Sequence, residues 1–297
     1  MHRASSGTAT MKSNYVTCLG NQGFHRMHYV EWGDPAAQRV VICAHGLTRN
    51  GRDFDTFAQA LLPEFRVVCP DIVGRGKSDW LKAKEDYGYV QYSADMTALI
   101  ARVTAPDGLD GKRVFWVGTS MGGIIGMLLA SRPNTPIEKL VVNDVGTIIP
   151  KAALERLATY VGKDPRFKSF QELEAYIRIV SAPFGALTDA QWRHLTETGA
   201  KQDANGSWGT CYDPGIGVPF QQGPLADVDL WPYWDAITCP TLLLRGAQSD
   251  LLVKATATAM TQRGPKPALV EFDGIGHAPM LMADDQIKVV RDFLRAR

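Results

Sequence analysis

One six-residue stretch, Gly118-Thr119-Ser120-Met121-Gly122-Gly123, leaves this chain few folding options. It follows the apolar run Val114–Val117 and leads straight into Ile124–Ala130, so a strand, a tight turn and a helix must meet at the serine. In so sharp a bend, side chains two residues before or after Ser120 would collide, which explains Gly118 and Gly122. The helix that opens there aims free N–H groups and its positive end at the serine oxygen, where an oxyanion can be held. A phosphate loop would need a following Lys, and a dinucleotide turn a different glycine spacing; the stretch has neither. Ser120 is therefore expected to be a nucleophile.

The rest of the chain repeats the strand–helix theme. Strands are predicted at Tyr15–Leu19, Met27–Trp32, Val40–Ala44, Arg66–Cys69, Val114–Val117, Lys139–Asn143, Thr241–Arg245 and Ala268–Phe272. The middle ones are apolar on both faces, as in Val40-Val41-Ile42-Cys43-Ala44, the pattern of parallel strands covered by helices on either side. Helices are expected at about Asp53–Leu62, Gln91–Val103, Met121–Ser131, Lys254–Gln262 and Asp284–Arg295. In the second of these, Met96, Leu99, Ile100 and Val103 share one face.

The alternation breaks once. Between Val145 and Ile237 lie roughly ninety residues, where a strand-to-helix connection usually needs a handful. Lys151–Val161 reads as a helix. Ser169-Phe170-Gln171-Glu172 and Thr188-Asp189-Ala190-Gln191 read as capping boxes that start two more. Residues Asp203 to Pro219, rich in Gly, Pro and Asp, read as loop. The expected organisation is a tail over 1–14 (with Met11 a candidate start), an α/β core over 15–145 and 237–297, and a helical cap inserted over 146–236.

Three further motifs accompany the serine. His45-Gly46-Leu47 ends the strand Val40–Ala44. Pro70-Asp71-Ile72-Val73-Gly74-Arg75-Gly76-Lys77-Ser78 follows the next strand. Gly276-His277-Ala278-Pro279 lies between the last strand and the last helix. With these four motifs in order, the chain resembles the α/β-hydrolase superfamily, in its serine esterase or lipase-like branch with a helical cap. The resemblance covers nearly everything but the cap. It implies a mostly parallel central sheet of about eight strands with helices on both faces. It implies His277 as the general base, and backbone N–H groups of Leu47 and Met121 as an oxyanion hole. The acid would be Asp250, after the strand that follows the cap, with Asp144, at the end of Leu140–Asn143, as the alternative slot. His45 is expected to brace its turn, and His2, His25, His28 and His194 carry no motif. The Asp71–Ser78 stretch is expected to shape a loop beneath the site.

Substrate contacts are the least legible part. Arg49 is expected as a solvated surface residue, with a substrate carboxylate as its alternative partner. Tyr160, Trp208, Tyr212 and Met280 are candidates for the pocket wall, and Phe184 and Trp192 are further cap aromatics. The expected reaction is hydrolysis of a carboxylic ester or lactone of a small to medium apolar acyl group through an acyl-enzyme. The same three side chains also serve C–C bond hydrolases of meta-cleavage products, amidases and perhydrolases, and a ligand-binding receptor on a retired hydrolase fold is a further alternative. The net charge of +1, with 21% charged and 45% hydrophobic residues, argues against nucleic acid as a partner. No run is long enough to span a membrane. Five cysteines without paired spacing argue for free thiols and a cytoplasmic setting. No metal or organic cofactor is implied, and a monomer or homodimer is expected.

Overall fold

The computed structural model describes residues 10–105 and 111–296. A single eight-stranded sheet organises them, in the order β1-β2-β4-β3-β5-β6-β11-β12. Its strands are β1 (Lys12–Gly20), β2 (Gly23–Trp32), β3 (Arg39–Ala44), β4 (Arg66–Pro70), β5 (Arg113–Thr119), β6 (Ile137–Asn143), β11 (Thr241–Gly246) and β12 (Ala268–Phe272). β1 and β2 form an antiparallel hairpin, β2 runs antiparallel to β4, and every pairing from β4 to β12 is parallel. All eight predicted strands fall inside this sheet. The expected tail is shorter at its inner end: Lys12, Ser13 and Asn14 already pair with Glu31, Val30 and Tyr29. Residues 1–9, His2 among them, lie outside the described residues.

Period-2 alternation sends neighbouring side chains to opposite faces of the sheet. Val40, Ile42 and Ala44 join one apolar cluster with α2 (Tyr89–Thr104), α3 (Met121–Ala130) and α8 (Lys254–Met260). Val41 and Cys43 join the other, with α1 (Asp55–Ala60) and α9 (Asp284–Arg295). The central strands are apolar throughout because both faces are covered.

Between β6 and β11 the chain leaves the sheet. Ribbon β7–β10 (Ile148–Ile149 against Val228–Asp229) ties the two ends of this excursion together. Inside it lie α4 (Lys151–Ala158), α5 (Phe170–Val180), α6 (Asp189–Gly199) and a second ribbon, β8–β9 (Ala200–Gln202 against Trp208–Thr210). Thr188 forms the full capping box with Gln191. Ser169 accepts from Glu172 N–H, whereas the Glu172 carboxylate turns to the N–H of Lys168. The stretch expected to be loop after Asp203 contains β9 and a 3₁₀ helix over Pro214–Gln221. Beyond β10, α7 (Trp231–Asp235) packs against α3, and Trp234, fully buried, donates to the Met260 and Arg263 carbonyls. This helix sits on the core rather than over the site. A separate apolar cluster joins Leu173, Ile177, Trp192 and Leu195 of the excursion to Met280 and Met282 of the core.

Candidate active site

Ser120 stands between β5 and α3 with φ 54° and ψ −117°, a conformation that few non-glycine residues adopt. Neighbouring atoms enforce it. Ser120 N–H donates to the Asn143 carbonyl at 2.9 Å, and its own carbonyl accepts from Gly123 and Ile124. A Cβ at Gly122 would sit 2.0 Å from the Ala44 carbonyl oxygen, and one at Gly118 would sit 2.2 Å from that of Gly122. The glycines thus let α3 press against the ends of β3 and β5, as the spacing of the motif predicts.

His277 follows β12 and meets the serine: its Nε2 is 2.9 Å from Ser120 Oγ. Its Nδ1 is 2.7 Å from Asp144 Oδ2. A carboxylate only accepts, so Nδ1 carries the proton and Nε2 is left to accept from the hydroxyl. Asp144 comes directly after β6, at φ 55°, and is fully buried. Its Oδ1 accepts from Gly246 N–H at 2.9 Å and its Oδ2 from the Ser249 hydroxyl at 2.7 Å. These bonds satisfy a carboxylate that would otherwise be costly to bury.

The favoured acid was Asp250, and the structure corrects that choice. The loop after β11 does reach the site, but it contributes the Gly246 N–H and the Ser249 hydroxyl as supports for Asp144. One residue further on, the Asp250 carboxylate pairs with Arg156 instead, with its side chain 61% exposed. The alternative slot, Asp144, is the one that faces the imidazole.

The loop after β3 borders the serine: a Cβ on Gly46 would lie 3.7 Å from Ser120 Cβ. His45 braces this loop. Its Nδ1–H donates to the Gly46 carbonyl at 2.7 Å and its Nε2 accepts from Ile72 N–H at 2.9 Å. Burial pushes its imidazole down to about 4, so the ring is neutral and acts as a two-ended staple. Asp71 works similarly in the glycine-rich loop. Burial opposes its ionisation, but His28 and the amides of Lys77 and Gly51 outweigh that and hold its carboxyl below the usual range.

The motif that contains Arg75 gives this residue no role of its own. Arg75 is completely buried. Its Nε donates to the Leu47 carbonyl at 2.8 Å, Nη1 donates to Val73 and the Tyr92 hydroxyl, and Nη2 lies 3.7 Å from Met121 Sδ. One guanidinium therefore touches both residues expected to supply the oxyanion hole.

Ser120 and His277 open on a cavity of about 660 Å³, within the usual range for small-molecule sites. Arg49, Tyr160, Tyr212 and Met280 line it. Trp208 does not: it packs edge-on against Phe170 at 5.5 Å, and its backbone pairs with Phe167. Phe184, which does line the cavity, stacks on Trp192 at 6.4 Å. Arg49 is not a solvated surface residue. Its Nε and Nη2 grip Asp53 at 2.8 and 2.6 Å in a largely buried pair. Among the described residues no helix is long and apolar enough to cross a membrane.

The sequence profile described as "Alpha/beta hydrolase family" matches residues 41–290. The chain is 46% identical to 3-hydroxybutyrate-oligomer hydrolase of Cupriavidus necator, over 96% of this chain and 98% of that one. It is 27% identical to an esterase of Mycobacterium tuberculosis, over 90% and 86% respectively. The crystal structure of an alpha/beta hydrolase from Novosphingobium aromaticivorans superposes with a TM-score of 0.83 at 34% identity, covering 97% of this chain and 99% of that one.

Proposed function

We propose, for a chain that belongs to the alpha/beta hydrolase family, that Ser120, His277 and Asp144 hydrolyse carboxylic esters of short 3-hydroxyalkanoate oligomers. The observation that carries the chemistry is the unbroken set of contacts from Ser120 Oγ through His277 to Asp144, at 2.9 and 2.7 Å, with Ser120 and His277 at the cavity wall. Similarity to an oligomer hydrolase along almost the whole chain supports the substrate class. The apolar walls at Leu157, Ile177 and Val180 suit short methyl-branched units.

The reaction follows from these positions. Ser120 Oγ attacks the ester carbonyl carbon while His277 Nε2 takes its proton. Asp144 holds the imidazole by Nδ1–H and stabilises the imidazolium. Leu47 and Met121 amides receive the oxyanion, a contribution of about 3–4 kcal/mol for each such donor. The imidazolium then protonates the departing alkoxide oxygen, which leaves as an alcohol. Water attacks the acyl-serine carbonyl and passes a proton to His277; Ser120 Oγ then leaves, takes that proton back from the imidazolium, and the acid departs.

The test is incubation of the purified protein with the dimer and trimer of 3-hydroxybutyrate and with 4-nitrophenyl butyrate. Release of 3-hydroxybutyrate monomer from both oligomers is expected. Turnover of the chromogenic ester without monomer release would overturn the substrate class. No turnover of any of the three would overturn ester hydrolysis itself.

A further inference from the structure

Two arginines line the cavity, and they differ in how their charge is occupied. Arg49 spends an edge of its fork on Asp53 through two nitrogens, in a pair whose side chains are 14% and 7% exposed. That charge is neutralised where it stands. Arg156, on α4, meets Asp250 through Nη2 alone, at 3.2 Å to Oδ1 and 3.0 Å to Oδ2. Its Nε and Nη1 have no hydrogen-bond partner among the described residues. The two side chains are 45% and 61% exposed, although both residues line the cavity that holds Ser120.

We infer that Arg156 anchors a free carboxylate on the substrate, and that Asp250 is the counter-ion it gives up on binding. This rests on the ester-hydrolase reading above and specifies which esters the site prefers: those carrying an anionic carboxylate at the end away from the scissile bond. An exposed, single-nitrogen ion pair is weak because water and salt screen it, so exchanging it costs little. Asp250, released, stays in water and leaves no buried charge behind. A substrate carboxylate can engage the guanidinium edge-on with two parallel hydrogen bonds, which the present pair does not make. Arg49 is the poorer anchor, because Asp53 already balances its charge in a buried pair and occupies two of its three nitrogens. The pair also joins the excursion to the core, since α4 carries Arg156 and the loop that supports Asp144 carries Asp250. The anchor therefore lies on the excursion side of the cavity, with its counter-ion on the core side.

The test uses two esters with the same acyl group and scissile bond, 3-butanoyloxybutanoate and its neutral carboxamide, and reads from butyrate release the ratio of kcat/KM for the anionic to the neutral one. In Arg156→Gln that ratio falls about tenfold or more, the size expected for loss of a charge-assisted hydrogen-bonded contact. In Asp250→Asn it rises, because the competing counter-ion is gone. Arg156→Lys keeps the charge but not the fork and recovers only part of the loss. An unchanged ratio in Arg156→Gln overturns the anchor, whatever happens to overall activity. Full recovery in Arg156→Lys reduces the effect to a diffuse field and overturns it as well. If the unaltered protein turns over neither ester, the hydrolase reading falls and the anchor with it.

Discussion

Asp144 Oδ2 lies 2.7 Å from His277 Nδ1, across 133 residues of chain, while the Ser249 hydroxyl donates to the same oxygen at 2.7 Å. The carboxylate is thereby locked on one side by the loop after β11 and presented to the imidazole on the other. In the proposed mechanism it selects the tautomer that leaves Nε2 free for Ser120. Asp144→Asn should lower kcat on the order of ten-thousandfold. Asp250→Asn should cost less than about tenfold. Steady-state kinetics on 4-nitrophenyl butyrate compare the two, and the reverse ranking would displace Asp144 from its assigned role.

Ser249 is more than a spacer. Its Oγ accepts from the amides of Leu251 and Leu252 at 3.3 and 3.1 Å while it donates to Asp144. Removing that donor weakens one of the contacts that stabilise a buried carboxylate, an effect of about 1.5–3 kcal/mol for a hydrogen bond to a charged group. Ser249→Ala is therefore predicted to reduce kcat by about tenfold or more, and KM for the same ester should move far less.

The elbow makes a stability prediction. An added methyl at Gly122 would meet backbone, the Ala44 carbonyl oxygen, at 2.0 Å. Backbone at the end of a central strand cannot yield as a flexible side chain would, so Gly122→Ala should destabilise by about 1–3 kcal/mol or more and depress activity. At Gly223 a Cβ would meet nothing within 4 Å. Gly223→Ala should stay within about 0.5 kcal/mol. Urea unfolding of both variants checks the contrast.

Much of this fold could be read from residues alone, because apolar runs such as Val40–Ala44 and the Gly118–Gly122 spacing state strand, burial and bend together. The identity of the acid could not. Asp144 directly follows β6 and Asp250 lies in the loop after β11, and what separates them is the partner each carboxylate meets. Asp144 turns inward at φ 55°, and one residue before Asp250 it is Ser249 that points into the site. Neither property has a signature in residue type. Trp208 shows a similar limit: an aromatic residue has no mark for whether it faces a cavity or another ring, and here Phe170 takes it. Arg75 was hidden for the opposite reason. Its flanking glycines speak for an exposed loop, while the Leu47 carbonyl and Tyr92 hydroxyl hold it in the interior.

His45 makes stability depend on pH. Its imidazole titrates near 6.5 when unfolded and is pushed to about 4 by burial in the folded chain. Between those values the unfolded state binds the extra proton. Stability is therefore fully present above about pH 6.5 and is lost as pH falls towards 4, by about 3 kcal/mol from this residue. Urea unfolding at pH 7 and pH 4.5 should show a smaller loss in His45→Gln than in the unaltered protein. Equal losses would mean the buried ring is not what the acid titrates.

The most direct measurement of the central claim is to trap the acyl-enzyme. The protein is mixed with 4-nitrophenyl butyrate, quenched in acid within the first turnover, digested and mapped by mass spectrometry. The account predicts a butyryl group on the peptide that contains Ser120, and a loss of kcat of about a millionfold in Ser120→Ala. Ester turnover that proceeds with no adduct at Ser120, or that survives its replacement by alanine, would contradict it.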